Sequence, residues 1–342
     1  MSCGWVSGEK TKNELEGRSR FAPPCTPKDG KGAAKAVYNL TSMGGAAQPV
    51  IIEPPYGIIL DELRSGNAIP FLGSAASRVG CGHDTPAILP SGAQLSDMLA
   101  EDANFPSADE HDRSDLAKVS SYYVDAANRG ALRRKLRNIF TGATYQCNDL
   151  HRFLAAVANN LMVVTTNYDT LLEQAFLSID KPYDLVVYPA DNQEYANGVL
   201  WWPHGAKEPS KFKPNQLDIQ DLGKRNLIYK IHGSVNAETD RWDSFVITEE
   251  DYVKFLSRMN NAVPAAFREY FSERPFLFLG YSLRDWNMRV LLKEVSVPEI
   301  TSWAILYQPS AFERKLWERR NVDMFDLKLE DFVAKIRAKA GL

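Results

Sequence analysis

The sequence predicts an α/β fold, a doubly wound parallel sheet flanked by helices, and three observations carry that expectation. Compact apolar runs alternate with helix-spaced segments from residue 56 onward. Each strand–loop–helix unit of this kind is the repeating step of a parallel sheet. Four of the runs end in small or polar residues, and doubly wound sheets bind ligands at the carboxyl ends of their strands.

Composition leaves room for such a fold and excludes others. The 342 residues are 44% hydrophobic and 24% charged, ordinary for a globular chain with a sizeable core. Lys plus Arg (40) nearly balance Asp plus Glu (43), for a net charge of −3. No whole-chain attraction therefore draws it to nucleic acid or an acidic membrane surface, and direct nucleic-acid binding is not expected. Four scattered cysteines form no disulfide scaffold and suit a reducing cytoplasm. No run approaches the ~18 apolar residues of a membrane span. Glu9, Lys10, Lys12, Glu14 and Glu16 stand where a secretory signal needs an apolar stretch. The expected location is cytoplasmic, without membrane contact.

Residues 1–49, rich in Gly, Ser, Lys and Pro and without period, are expected to be flexible. Met43, just before the first organised stretch, is an alternative start. The organised domain is expected over 50–342. Tyr56 to Arg64 reads as a helix with Ile58, Ile59 and Leu63 inward. Ala68 to Leu72 is a strand, turning through Gly73-Ser74-Ala75-Ala76-Ser77. After a Pro/Gly-rich loop, Thr85 to Gly92, a helical insertion is expected over about 90–150. It carries Leu95, Met98 and Leu99 at helical spacing, then a helical run from Asp115 to Phe140.

Leu161 to Thr166 is a strand, followed by a helix over Thr170–Leu177 that Asp169 or Thr170 is placed to cap. Leu185 to Tyr188 is a third strand. Residues 189–223 read as a long irregular loop, of a length that is usually functional. Leu227 to Ile231 is a strand leading into His232-Gly233-Ser234. Helices over Glu249–Met259 and Ala265–Phe271 lead to the strand Phe276–Leu279. Gly280 to Asp285 and a helix through Leu291 come next. Trp303 to Tyr307 reads as the last strand, with amphipathic helices closing the chain.

The strand ends share a coherent chemistry. The small residues at 73–77 let a dinucleotide's pyrophosphate approach backbone N–H groups. Asn167 offers donor and acceptor without charge, suited to a water or a ribose hydroxyl. Asp169 follows two residues on, and His232 exchanges a proton near neutral pH. Ser282 and Asp285 suit ribose hydroxyls.

In order, Gly73-Ser74-Ala75-Ala76-Ser77, Thr165-Thr166-Asn167-Tyr168-Asp169, His232-Gly233 and Gly280-Tyr281-Ser282-Leu283-Arg284-Asp285 resemble the motifs of the sirtuin superfamily. The similarity is closest to its bacterial NADase branch, the sirtuin-like domains of antiphage defence systems. It runs from about residue 56 to the C-terminus and takes in Ile247–Tyr252 and the closing Leu327–Ile336 segment.

The resemblance implies a Rossmann-like NAD site, with NAD as substrate and no metal. Gly73, Ser74, Ala75 and Ser77 would hold the pyrophosphate and nicotinamide ribose, with Thr166, Gly233 and Gly280 in the same binding set. Asn167 would position the attacking water, and Asp169 would help hold the carboxamide. His232 would act as base or orienter at the ribose hydroxyls, and Ser282 and Asp285 would grip the adenosine ribose. The reaction implied is cleavage of the N-glycosidic bond to nicotinamide and ADP-ribose, depleting cellular NAD. The alternatives are an NAD- or ADP-ribose-binding scaffold subunit without turnover, and a protein deacylase. Cys3, Cys25, Cys81 and Cys147 form no Cys-x-x-Cys pair, so the zinc ribbon of deacylase sirtuins is missing. Ser74-Ala75 also departs from the Ala-Gly those enzymes prefer. By analogy, control would come from homo-oligomerisation or from a separate partner, a HerA-type ATPase ahead of an Argonaute-type protein.

Rival residues read more blandly. His204-Gly205 is a second His-Gly pair, but it lies in the long loop after Pro203, so His232 is preferred. His83 and His111 have no metal-ligand spacing, and His151 opens a helix as a structural residue. The basic run Arg133–Arg137 reads as a solvated helix face, as do Arg314, Lys315, Arg319 and Arg320. There is no Gly-x-Gly-x-x-Gly, no P-loop and no His-Glu-x-x-His, which argues against a dehydrogenase, a P-loop ATPase and a zinc protease.

Overall fold

A computed structural model describes residues 53–80, 87–142, 144–158, 160–191, 195, 198–213, 224–258, 263–281, 289–290, 292–293 and 299–342. The expected flexible segment 1–49, Ser282, Asp285 and most of the expected helix through Leu291 lie outside the described residues.

The strands are β1 (Ile69–Leu72), β2 (Met162–Thr165), β3 (Tyr183–Val187), β4 (Val199–Trp202), β5 (Ser210–Phe212), β6 (Asn226–Lys230), β7 (Gly233–Ser234), β8 (Ser244–Phe245), β9 (Phe276–Leu279), β10 (Ser302–Ile305) and β11 (Val322–Phe325). Nine of them form one sheet in the order β11-β10-β9-β1-β2-β6-β3-β4-β5. All its pairings are parallel except β3–β4 and β4–β5, so an antiparallel hairpin closes one edge. From β1 the chain steps toward β2 and β3, and from β9 it steps the other way to β10 and β11. The reversal lies between β1 and β9, where an open α/β sheet leaves a crevice beyond its strand ends.

The helices are α1 (Tyr56–Arg64), α2 (Gly92–Asp102), α3 (Glu110–Ser114), α4 (Leu116–Ala126), α5 (Arg129–Thr141), α6 (Asp149–Val157), α7 (Leu171–Leu177), α8 (Glu249–Ser257), α9 (Ala265–Ser272), α10 (Ala311–Glu318) and α11 (Leu329–Ala340). One face of the sheet buries Ile59, Leu154, Leu172 and Phe332 from α1, α6, α7 and α11. The other buries Phe255, Phe267 and Trp317 from α8, α9 and α10. Both faces are covered, as the all-apolar strands require. A third cluster joins Leu99 of α2, Val119 of α4 and Leu132 and Leu136 of α5 to Tyr168, Val235 and Phe245 beyond the ends of β2 and β6.

Several expectations are corrected. In α1 the inward residues are Ile59, Leu60 and Leu63, while Ile58 is 59% exposed: Leu60, not Ile58, shares the buried stripe. Met98 likewise faces outward. The run Asp115–Phe140 breaks into α4 and α5, each started by its own cap, Asp115 and Asn128. The stretch 189–223 contains β4 and β5, and Pro203 ends β4 rather than preventing it. Trp303–Tyr307 is not the last strand, since β11 pairs beside β10.

Two devices fix the loop after β1, which makes one 3-10 turn over Ser74–Arg78. The first is the α6 cap. Asn148 Oδ1 accepts from Leu150 and His151 N–H, His151 Nδ1 accepts from Asn148 N–H at 3.2 Å, and Asn148 Nδ2 donates to the Ala76 carbonyl at 2.8 Å. The second is the close approach of β1's loop to Gly280, which has φ +65°; a Cβ there would stand 2.6 Å from Ala76 N.

Two outcomes follow. Burial pushes the His151 imidazole down to about 4, below its ordinary 6.5, so the folded state keeps it neutral where the unfolded chain is protonated. Stability is then full above about pH 6.5 and declines as pH falls toward about 4, by up to about 3 kcal/mol. His151→Gln, which keeps an N3 acceptor without titrating, flattens that slope in thermal melts; parallel slopes would remove His151 as its source. Gly280→Ala lowers stability by roughly 2 kcal/mol in urea titration, whereas an unchanged midpoint would show that the turn yields freely.

Candidate active site

The four strands whose ends carry the small and polar residues, β9, β1, β2 and β6, are consecutive in the sheet. Their carboxyl ends are tied together at the backbone. Gly73 N–H donates to the Leu279 carbonyl at 3.1 Å and Ala75 N–H to Gly280 at 3.3 Å. Thr166 donates to the Leu72 carbonyl through its N–H at 3.2 Å, and Ile231 N–H donates to Thr165 at 3.0 Å. A Cβ on Gly73 would collide with the Gly280 carbonyl, so this seam admits no larger residue. Ser74 and Ala75 form its exposed crest.

Asn167, half-buried, donates from Nδ2 to both the Gly73 carbonyl (3.0 Å) and Ser77 Oγ (2.9 Å). Ser77 Oγ in turn donates to Asp169 Oδ2 at 2.8 Å. The relay has one coherent direction, ending on a carboxylate that is 7% exposed. Both amide hydrogens of Asn167 are thereby committed, and among the described residues no donor reaches its Oδ1. That oxygen is an oriented acceptor on a half-buried side chain. Asp169 Oδ1 accepts from Leu171 N–H at 3.1 Å, so Asp169 rather than Thr170 supplies the side-chain cap of α7. Asp169 also borders a cavity with Phe140, Tyr145 and Gln174.

His232 lies one strand further, 3% exposed, with its ring edge-on to Phe255 (5.4 Å) and Tyr252 (5.7 Å) of α8. Gly233 follows at φ +95°, turning the chain into β7, where a Cβ would collide with Ser244. His204 is at the other end of the sheet. β4 runs antiparallel to β3, so Pro203-His204 emerges beside the start of β3, where His204 N–H donates to Asp184 Oδ1 at 2.8 Å. It does not reach the crevice.

The basic run on α5 is solvated only in part: Arg134 is exposed and Lys135 pairs with Asp102 at the surface, whereas Arg133 and Arg137, with Arg129 one turn earlier, turn inward. Arg129 pairs with Asp191 (2.9 Å) and Asp251 (2.7 Å), Arg133 with Asp191 (3.0 Å) and Arg137 with Asp243 (2.8 Å). Burial works against the Arg129 charge, but the two aspartates outweigh it and hold its pKa above the ordinary value. Arg314 pairs with Asp326 at the surface. Tyr168, between Phe140 and Phe245 at 5.5 and 5.2 Å, packs the insertion against the turn that bears Asn167.

Residues that sequence reasoning missed lie beneath this turn. Lys230 of β6 and Glu173 of α7 form a buried ion pair at 2.7 Å. The signal was present as a lysine inside the apolar run Leu227–Ile231 and a glutamate on the apolar α7. Among the described residues no group of three His, Cys, Asp or Glu side chains is placed to hold a metal ion, and no helix is long and apolar enough to cross a membrane.

Residues 161–325 match the family model of the SIR2-like domain. The chain is 26% identical over 240 residues, 70% of its length, to the NAD(+) hydrolase ThsA of Acinetobacter baumannii (strain 532279). It is 24% identical over 224 residues, 63% of its length, to the NAD(+) hydrolase ThsA of Cytobacillus dafuensis. The alignments cover 41% and 39% of those proteins, so the chain spans about two fifths of the length of the curated relatives it matches. A solved structure described under Sir2 enzymes overlays with a TM-score of 0.39 at 12% identity, over 85% of this chain and 98% of that one, too loosely to carry weight. The stretch similar to the SIR2-like domain runs from the approach to β2 through β11, and so includes Asn167, Asp169 and His232.

Proposed function

We propose that this chain hydrolyses NAD to nicotinamide and ADP-ribose, with the crevice over β9, β1, β2 and β6 as its active site. The observation that carries this reading is the Asn167–Ser77–Asp169 relay across the ends of β1 and β2, beside the topological switch point, in a chain similar to proteins named as NAD(+) hydrolases. Gly73, Ser74 and Ala75 form the loop against which a pyrophosphate would rest, and Thr166, Gly233 and Gly280 shape its margins. Ser282 and Asp285 are assigned the adenosine ribose on their motif alone.

The chemistry needs one water at C1′ of the nicotinamide ribose. As the C1′–N bond breaks, its electron pair leaves with neutral nicotinamide and the sugar gains oxocarbenium character. Water supplies the new C1′–O bond and releases one proton. Asn167 Oδ1 is the acceptor that aims this water, while Ser77 and Asp169 hold its amide in one orientation. His232 acts at the ribose hydroxyls or takes the released proton. Asp169, with both oxygens already accepting bonds, acts mainly through Ser77. The helical layer over the strand ends limits solvent entry, which favours a single water.

NAD depletion by such a site suits antiphage defence in the bacterial cytoplasm, held in check by homo-oligomer assembly or a HerA-type ATPase, with an Argonaute-type partner as the other candidate.

Purified protein is expected to release nicotinamide and ADP-ribose from NAD, and Asn167→Ala and His232→Ala are each expected to lower the rate by roughly 10²-fold or more. His204→Ala should match wild type. Loss in His204→Ala with retention in His232→Ala would reverse the assignment, and NAD binding without turnover in every form would favour a sensor or scaffold subunit.

A further inference from the structure

Lys230 is 1% exposed, and the ammonium sits where the two active-site turns meet. It donates to the Asp169 carbonyl, to the Tyr168 carbonyl at 3.4 Å and to Ser234 Oγ at 2.9 Å, and it pairs with Glu173 at 2.7 Å. Tyr168 and Asp169 belong to the turn after β2, which carries Asn167. Ser234 is in β7, directly beyond the turn after β6 that carries His232. Glu173 stands on α7, the helix that Asp169 caps. One side chain therefore touches the first turn, the strand directly beyond the second and the helix behind them. Parallel to it runs a backbone bond from Val235 N–H to the Tyr168 carbonyl at 3.0 Å.

Burying an ammonium and a carboxylate is costly, and a pair of well-packed apolar residues commonly serves stability equally well. A core needing only cohesion at this place has no use for Lys230. What the lysine supplies, and an apolar residue cannot, is three directed N–H groups shared among the Asp169 and Tyr168 carbonyls, the Ser234 hydroxyl and the Glu173 carboxylate. We propose that Lys230 is a positioning residue for NAD hydrolysis: it fixes the distance between Asn167 and His232, with Glu173 holding its charge in place. This rests on the hydrolase reading of the site, and the mechanism above makes no use of either residue. The loss expected is in turnover and not in NAD affinity, because the lysine touches the turns from beneath and not the crevice.

The test uses Lys230→Met, Lys230→Arg and the charge-free double variant Lys230→Met/Glu173→Met, with Val333→Ala in α11 as a control for lost packing away from the site. Lys230→Met leaves Glu173 buried alone and is expected to lose thermal stability; the double variant is expected to recover it. If Lys230 positions the turns, kcat in the double variant stays roughly 10²-fold below wild type, with KM for NAD within about threefold. Lys230→Arg should recover part of kcat, and Val333→Ala should retain wild-type kcat below its melting range. Recovery of kcat along with stability in the double variant would reduce the pair to a structural one and overturn the proposal.

Amide exchange gives a readout that does not depend on turnover. In the double variant the Val235 amide should exchange about tenfold faster while the β1 amides stay as in wild type. Unchanged exchange at Val235 overturns the proposed link whatever the chemistry. A wild-type protein that fails to cleave NAD, alone or with an activating partner, overturns the hydrolase reading and with it the catalytic role of Lys230, while the exchange result still decides whether the lysine joins the turns.

Discussion

The join between β1 and β2 is the constraint on which the site depends. A parallel pair ends with its carbonyls facing solvent, and those groups need partners. Here the Leu72 carbonyl accepts from Thr166 N–H, and Asn167 covers the Gly73 carbonyl. The residues that satisfy the strand ends are therefore the ones that form the crevice. Their orientation follows from backbone accounting, and the amide oxygen left over on Asn167 is a by-product of it. Removing the β1–β2 register would scatter Ser77, Asn167 and Asp169 together.

Around this join the molecule is built in layers of decreasing generality. Apolar strands and two helical faces set the frame. The α6 cap and Gly280 then hold the 73–78 loop from two sides. The insertion α2–α5 supplies a roof over the ends of β2 and β6 through Tyr168, Val235 and Phe245. Where the layers meet, Asn148, Asp169 and Lys230 are buried with the partners named above, as expected of groups taken out of water.

Much of this was legible in the sequence because it was written locally. The central strands are continuous apolar runs, and each is followed at once by its polar residues, so adjacent positions in sequence became adjacent positions in space. What escaped was of two kinds. β5 and β11 are the two edges of the sheet, where Lys211 and Asp323 dilute the apolar signal, while the wholly apolar β4 was hidden by Pro203 directly after it and by the irregular stretch around it. The arginines of α5 looked solvated because their partners lie 58 to 122 positions away in the chain. Charge at helical spacing describes a face, and only the tertiary structure says what the face meets. Lys230 is a middle case: its oddness was visible, but its partners on α7 and in two turns were not.

The α5 seam bears on how such a chain diversifies. Its three arginines recur every fourth residue and engage acids from separate stretches, Asp191 after β3, Asp243 before β8 and Asp251 in α8. A roof attached in this way is not a detachable module. Grafted onto a related scaffold lacking those acids, it would carry unmatched guanidinium groups into a poorly hydrated joint. Left behind, the scaffold would keep aspartates with no counter-charge. Insertion and frame are thus bound to change as a matched set, so natural variation in the roof should arrive with compensating changes in three remote acidic positions rather than piecemeal.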